Sequence, residues 1–281
     1  MSSDDEARSI ASQGGLSAYE LSPEKKCTES KSVVNSEKNT DASSVDRYMP
    51  WPLSDYEKDA RVPGKKHNTR YLIELILEGG LKLNCISPVI SKAMLFAHHL
   101  QKSDEAMKYD PAMLAAATLT LSCAAYDETL NKTIVVLTFH HMIKKEYLRN
   151  LRSEAKITLE KYLKLAELFV FKVLGGITCH EMAHEYGLFY AQNLQTLTEV
   201  NEVWKPFITN VWKILSDFYT SELCLNYKAC DIAIVAINVA LLLCKVKSSL
   251  PPNWYQEFSP DLTVETKNQL LHDIFTVCGL N

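Results

Sequence analysis

No apolar run in this 281-residue chain is long enough to cross a bilayer. The longest, Ile232 to Cys244, is thirteen residues broken by Asn238, against the roughly 20 that a spanning helix needs. It reads as a buried core helix, and no membrane partner is expected. A secretory signal is missing as well: the opening MSSDDEARSI is acidic where such a signal carries a basic region, and no apolar stretch follows. The expected location is therefore nuclear or cytoplasmic, not secreted. No C-x-x-C pair occurs. The eight cysteines (Cys27, Cys85, Cys123, Cys179, Cys224, Cys230, Cys244 and Cys278) include several within apolar runs and read as reduced structural thiols, so no metal site is expected of them. Nor does one sign of charge dominate. The 30 Lys and Arg against 34 Asp and Glu leave a net charge of −4, which argues against a nucleic-acid binder driven by bulk charge. The patterns G-x-x-x-x-G-K-S/T, G-x-G-x-x-G and G-x-S-x-G are absent, which leaves phosphate loops and hydrolase elbows unsupported, and no cofactor or small-molecule substrate is expected.

The chain does have enough apolar material for a sizeable core: 47% of residues are hydrophobic and 23% charged, the balance of an ordinary globular protein. That material is unevenly placed. Residues 1–50 include 11 Ser and are 30% apolar, whereas the remainder is about 51% apolar, so the first fifty residues read as a disordered Ser-rich tail. The tail carries −3 of the net charge and the body only −1. A Pro-containing linker follows over 51–64.

From Lys65 onward the hydrophobic spacing is helical and no segment alternates with period two, so the class is all-α. Tyr71, Leu72, Leu75 and Ile76 share one face of a first helix, which Gly79-Gly80 is expected to stop. Further helices are expected over 87–101, from Asp110-Pro111 through MLAAATLTLSCAA, over 132–144 and over 153–174, the last ended by Gly175-Gly176. After that break, helices are expected over 180–197, 203–220, 227–246 and 262–278, with a short piece at 254–258. A shift of 118 places Tyr109 on Tyr227, Leu114 on Ile232, Ala115 on Ala233, Leu119 on Ile237 and Leu121 on Val239. Each half thus has a central, Ala-rich, all-apolar helix opened by a Tyr, which indicates two similar five-helix lobes, 65–175 and 176–281.

These features resemble the cyclin family. YDPAMLAAATLTL is similar to the opening of the third helix of a cyclin box, and AELFVFKVLGGI, Ala166 to Ile177, to the fifth-helix pattern E-x-x-x-L-K-x-L. Trp254-Tyr255-Gln256-Glu257-Phe258 with Asp261-Leu262-Thr263 resembles the second lobe of the cyclin Q branch, whose partner is cyclin-dependent kinase ten. The resemblance covers about residues 65–281. It implies a regulatory subunit, not an enzyme, that binds and activates a cyclin-dependent kinase in cell-cycle or transcriptional control. In the family a Lys ending the third helix and a Glu in the fifth contact the kinase. The Glu maps onto Glu167, with Phe171 one turn on, and the acidic pair after the Lys maps onto Tyr126-Asp127 or, with a gap, Asp127-Glu128. The Lys itself falls on Ala124 or Ala125. That departure keeps a second reading open, an adaptor of cyclin fold that binds without activating. The substrate-docking Met-Arg-x-x-Leu of cell-cycle cyclins is absent from Thr69-Arg70-Tyr71-Leu72-Ile73-Glu74-Leu75.

A rival signal is His180-Glu181-Met182-Ala183-His184. On one helix, this H-E-x-x-H would present two metal ligands a turn apart and a general base, as in a zinc peptidase. Tyr190 stands where a third His would complete it, and Glu199 or Glu202 is the remaining candidate ligand. His98-His99 and His140-His141 are neighbours in sequence and point about 100° apart, so neither pair chelates on one face. In the tail, Ser22-Pro23-Glu24-Lys25 fits the Ser-Pro-x-Lys form that cyclin-dependent kinases favour, which makes Ser22 a candidate phosphosite.

Overall fold

Asp110 and Pro111 show how the sequence builds the central helix of the first lobe. Pro111 fixes the first helical φ and lacks only an N–H that would be unbonded there, while the Asp110 carboxylate accepts the Ala112 N–H at 2.9 Å. In the computed structural model, which describes residues 69–144, 153–195, 203–246 and 250–280, that helix is the third of nine. They are α1 (Thr69–Lys82), α2 (Ser87–Leu100), α3 (Pro111–Ala124), α4 (Lys132–Lys144), α5 (Ser153–Val173), α6 (Ala183–Gln195), α7 (Trp204–Phe218), α8 (Ala229–Leu243) and α9 (Val264–Cys278). Single 3-10 segments lie at Asp104–Lys108, Glu222–Asn226 and Trp254–Glu257. Among the described residues there is no strand, and no helix is long and apolar enough to cross a membrane. The fold is all-α, as the spacing indicates. The Ser-rich tail with Ser22, and the linker over 51–64, lie outside the described residues.

The buried side chains form two cores. The first gathers α1 to α5 around α3, with Ile76, Phe96, Leu114, Leu119, Phe139 and Leu163 almost wholly enclosed. The second gathers α6 to α9 around α8, whose residues Ile232 to Ile237 are all buried. The 118-residue echo recurs as geometry. Tyr109 stacks on Phe169 of α5 at 4.3 Å between ring centroids, and Tyr227 donates its hydroxyl to Asp273 of α9 at 2.6 Å. Each Tyr therefore ties the entry of a central helix to the last helix of its own lobe. The exits correspond as well: α3 and α8 are each closed by a residue in the left-handed region, Asp127 (φ 55°) and Lys245 (φ 52°). The lobes differ at the fourth position, where α4 of the first has as its counterpart the 3-10 turn Trp254–Glu257.

Gly79 and Gly80 do not stop α1. The helix runs on to Lys82, and Asn84 in the left-handed region (φ 56°) turns the chain. The glycines are there for packing: Gly79 faces the ring of Phe139, and Gly80 faces Ile90. Gly175 and Gly176, by contrast, end α5 as their sequence position suggests, at φ 66° and 79°.

The lobes meet along a polar seam on α2. Ser87 and Ser216 share a hydrogen bond of 2.5 Å, His98 donates from Nε2 to the Tyr219 carbonyl at 2.9 Å, and the Tyr219 hydroxyl accepts the Ala183 N–H at 3.1 Å. His184 is fully enclosed against Trp212 and Tyr219, with Nε2 3.4 Å from Ser216 Oγ and Nδ1 without a partner. Burial holds His184 down at about 3, from 6.5 when free. Between those values the unfolded chain binds a proton that the folded chain does not, so stability is complete above pH 6.5 and falls as the pH drops. His98, His99 and His180 are lowered chiefly by burial and act in the same sense. Urea unfolding at pH 5.5 is expected to show a loss of about 1 kcal/mol or more relative to pH 7.5. Equal stability at both pH values would contradict a neutral, buried His184.

Candidate protein-docking site at the α4–α5 edge

The site begins with Asn131, whose side-chain oxygen accepts the N–H groups of Thr133 at 3.0 Å and Ile134 at 3.3 Å. This cap opens α4 and aims its first two side chains at α5. Thr133 donates to Glu160 at 2.5 Å, and the Lys132 ammonium meets Glu167 Oε2 at 2.5 Å. Glu160 and Glu167 are two turns apart on one stripe of α5, so the first turn of α4 clamps α5 at two carboxylates. The Glu167 side chain is 14% exposed and Lys132 37%. The second carboxylate oxygen, Glu167 Oε1, is buried without a hydrogen-bond partner. An unpaired oxygen of a buried carboxylate is costly unless a donor reaches it.

Around this pair α5 leaves large apolar side chains in solvent. Leu168 is 65% exposed and Phe171 42%, and Ile134 of α4 is 55% exposed. Lys161, Lys164 and Lys172 on α5 are exposed too. Apolar side chains and lysines around a nearly buried, half-satisfied carboxylate form a surface suited to another protein.

The other two sequence-derived positions lie differently. Tyr126 points to the second lobe. Its ring sits beneath the Lys92 ammonium at 4.3 Å, its hydroxyl donates to Glu185 at 3.1 Å, and it packs against the second core. Burial pushes its phenol up and lowers the Lys92 ammonium. Asp127 is exposed and closes α3 in the left-handed conformation, its N–H on the Ala124 carbonyl at 3.2 Å. The geometry therefore brings Glu167 and Phe171 onto one helix edge and holds Tyr126 at the junction of the lobes.

The lysine that stands beside Glu167 is Lys132, in the first turn of the next helix, and neither Ala124 nor Ala125 supplies a cation. Sequence reading missed this lysine because it looked for the charge at the end of α3. The Asn131-Lys132-Thr133 cap was the available signal, since a capping Asn fixes where the following side chains project.

The H-E-x-x-H segment does not form a metal-binding helix. α6 begins at Ala183, and His180 lies before it with its N–H turned back on the Thr178 carbonyl at 3.0 Å. The His180 ring packs on Phe96 and His99 at 5.6 and 5.4 Å, whereas His184 is enclosed beside Trp212. The two rings are not presented one turn apart on one face. Among the described residues no group of three or more His, Cys, Asp or Glu side chains could hold a metal ion.

No family model matches the chain. It is 24% identical over 199 residues to Cyclin-T1-3 of Arabidopsis thaliana, covering 70% of this chain and 61% of that protein. To Cyclin-T2 of Homo sapiens it is 20% identical over 210 residues, covering 72% of this chain and 28% of that protein. It thus spans less than two thirds of the length of either relative. Among solved structures it resembles a chain of the yeast RNA Pol II CTD kinase CTDK-1 complex, with a TM-score of 0.57 at 14% identity over 79% of this chain and 67% of that one. It also resembles a chain of the CAK complex from Chaetomium thermophilum bound to ATP-gamma-S, with a TM-score of 0.53 at 13% identity over 84% of this chain and 66% of that one. At these identities the structural likeness is one of fold. The chain is thus similar in sequence to two proteins named as cyclins, and it shares its helical fold with chains of those two complexes.

Proposed function

We propose that the chain is a cyclin-like regulatory subunit that binds a cyclin-dependent kinase through the α4–α5 edge and activates it. The observation that carries this reading is Glu167, held by Lys132 on one oxygen, unpartnered on the other, and bordered by exposed Leu168 and Phe171. Activation is favoured over a non-activating adaptor by Lys132, which puts a lysine beside the glutamate although none ends α3. In this reading the edge docks on a mobile kinase helix and favours the conformer that completes the ATP-positioning ion pair, a population shift rather than a chemical step by this chain. The resemblance of residues 254–263 to the cyclin Q branch favours a kinase of the cyclin-dependent kinase ten type. The T-type relatives are consistent with a transcriptional role in the nucleus. Tyr126 and Asp127 act in this scheme by shaping the exit of α3.

Co-purification of the full chain with candidate kinases, followed by a peptide phosphorylation assay on each complex, tests the proposal. A kinase that binds and gains activity is the expected result. Binding with no gain would leave the adaptor reading, and failure to bind any cyclin-dependent kinase would overturn both.

A further inference from the structure

Cys85 and Cys123 are 38 positions apart in the chain, yet their sulfurs lie 3.9 Å from each other. Neither sits on a loose segment. Cys85 closes the corner after α1, its N–H on the Gly80 carbonyl at 2.9 Å, next to left-handed Asn84. Cys123 lies in the last turn of α3, and its carbonyl takes the N–H groups of Tyr126 and Glu128 at 2.9 and 3.0 Å. Cys85 is half-buried and Cys123 is buried. Among the described residues no other two cysteines are in such contact. Two anchored thiols, one reachable from solvent and one behind it, are the arrangement in which an attacking and a resolving thiol work in sequence.

We propose that Cys85 and Cys123 are a redox modification site, closing to a reversible disulfide when a small disulfide of the glutathione class oxidises the protein. The site is independent of the kinase-binding reading. Cys85 attacks first, being the thiol within reach. The contact with the Cys123 thiol lowers the Cys85 thiol from its usual value, against burial and the nearby Glu128. Its thiolate bonds to one sulfur of the oxidant, the sulfur–sulfur bond of the oxidant breaks, and the first glutathione leaves and takes up a proton. Cys123 starts well above the ordinary thiol range, held there by its bond to Cys85, by burial and by the Cys85 charge. Capping Cys85 removes both the charge and the acceptor. Cys123 then gives up its proton to water, its thiolate attacks the Cys85 sulfur, and the second glutathione leaves and is protonated. Two protein thiols are oxidised and one glutathione disulfide is reduced to two thiols. The sulfurs must close from 3.9 Å to about 2.05 Å.

The test uses the full chain, purified under reducing conditions, incubated with oxidised glutathione, alkylated while folded, digested and analysed by mass spectrometry. The expected product is one peptide pair joining Cys85 to Cys123, about 2 Da lighter than the two reduced peptides and reopened by dithiothreitol. Cys123→Ala is expected to trap Cys85 as its mixed disulfide with glutathione, and Cys85→Ala to leave Cys123 unmodified until the protein is unfolded. Exposed Cys179 reports whether the oxidant has reacted. Glutathione on Cys179 with no linked Cys85–Cys123 peptide would overturn the proposal. The linked peptide in the unsubstituted chain decides the matter even if a variant folds poorly.

Discussion

Glu167→Lys is expected to abolish co-purification of the kinase while leaving the helical content of the chain intact. The substitution puts an ammonium beside Lys132, where a carboxylate now receives it at 2.5 Å, and reverses the charge at an edge bordered by exposed Leu168 and Phe171. Removing one member of a desolvated interfacial charge pair costs about 2–5 kcal/mol, a loss of affinity on the order of 100-fold or more. The cost to folding is far smaller, because Lys132 can swing its ammonium into solvent. The exchanged pair, Lys132→Glu with Glu167→Lys, separates the two roles. If Glu167 serves only the α4–α5 clamp, the exchange restores everything. If it faces the kinase, stability returns and binding does not. Binding at full strength by Glu167→Lys would remove the α4–α5 edge as the interface.

Gly79→Val is expected to destabilise the first lobe by about 3 kcal/mol, the upper part of the range for overpacking a filled core. At an exposed helical position the same change relieves the entropic penalty of glycine and is neutral to favourable. At Gly79 a Cβ would stand 3.0 and 3.1 Å from two carbons of the Phe139 ring and closer still to its tip. Phe139 is itself completely enclosed, so the ring has nowhere to retreat. Phe139→Leu in the same chain is expected to recover part of the loss, a coupling that denaturant unfolding of the two single variants and the pair measures. An unchanged unfolding midpoint for Gly79→Val would show that α1 and α4 are not in contact there.

The same two positions show what was legible in the sequence. Helical class, helix order and the two central apolar helices follow from spacing, because a stretch such as Ala229–Leu243 can satisfy its side chains only by being surrounded. The Gly79-Gly80 pair reads as a stop because glycine weakens a helix locally. Its actual role is set by a ring sixty positions away, and no local signal carries that. Glu167 was placed through its family pattern and Phe171 through the turn that separates them. Lys132 escaped because its partner is on another helix and the match is made by a cap. The H-E-x-x-H segment erred the other way: five residues matched a catalytic pattern, but the chain turns at Thr178–His180 and enters its helix only at Ala183.

Helix α2 contributes to both cores: Leu95 packs in the second and Phe96 in the first, while His98 caps the Tyr219 carbonyl from across the seam. The second lobe is therefore incomplete by itself, since it lacks a wall residue and would leave a buried carbonyl unpaired. During synthesis α2 leaves the ribosome with the first lobe, ahead of α6 to α9. The later half of the chain condenses on a surface that is already folded. Unfolding runs into the same dependence in reverse: loosening the first lobe withdraws Leu95 and His98 from the second, so the two lobes should melt together as one cooperative unit.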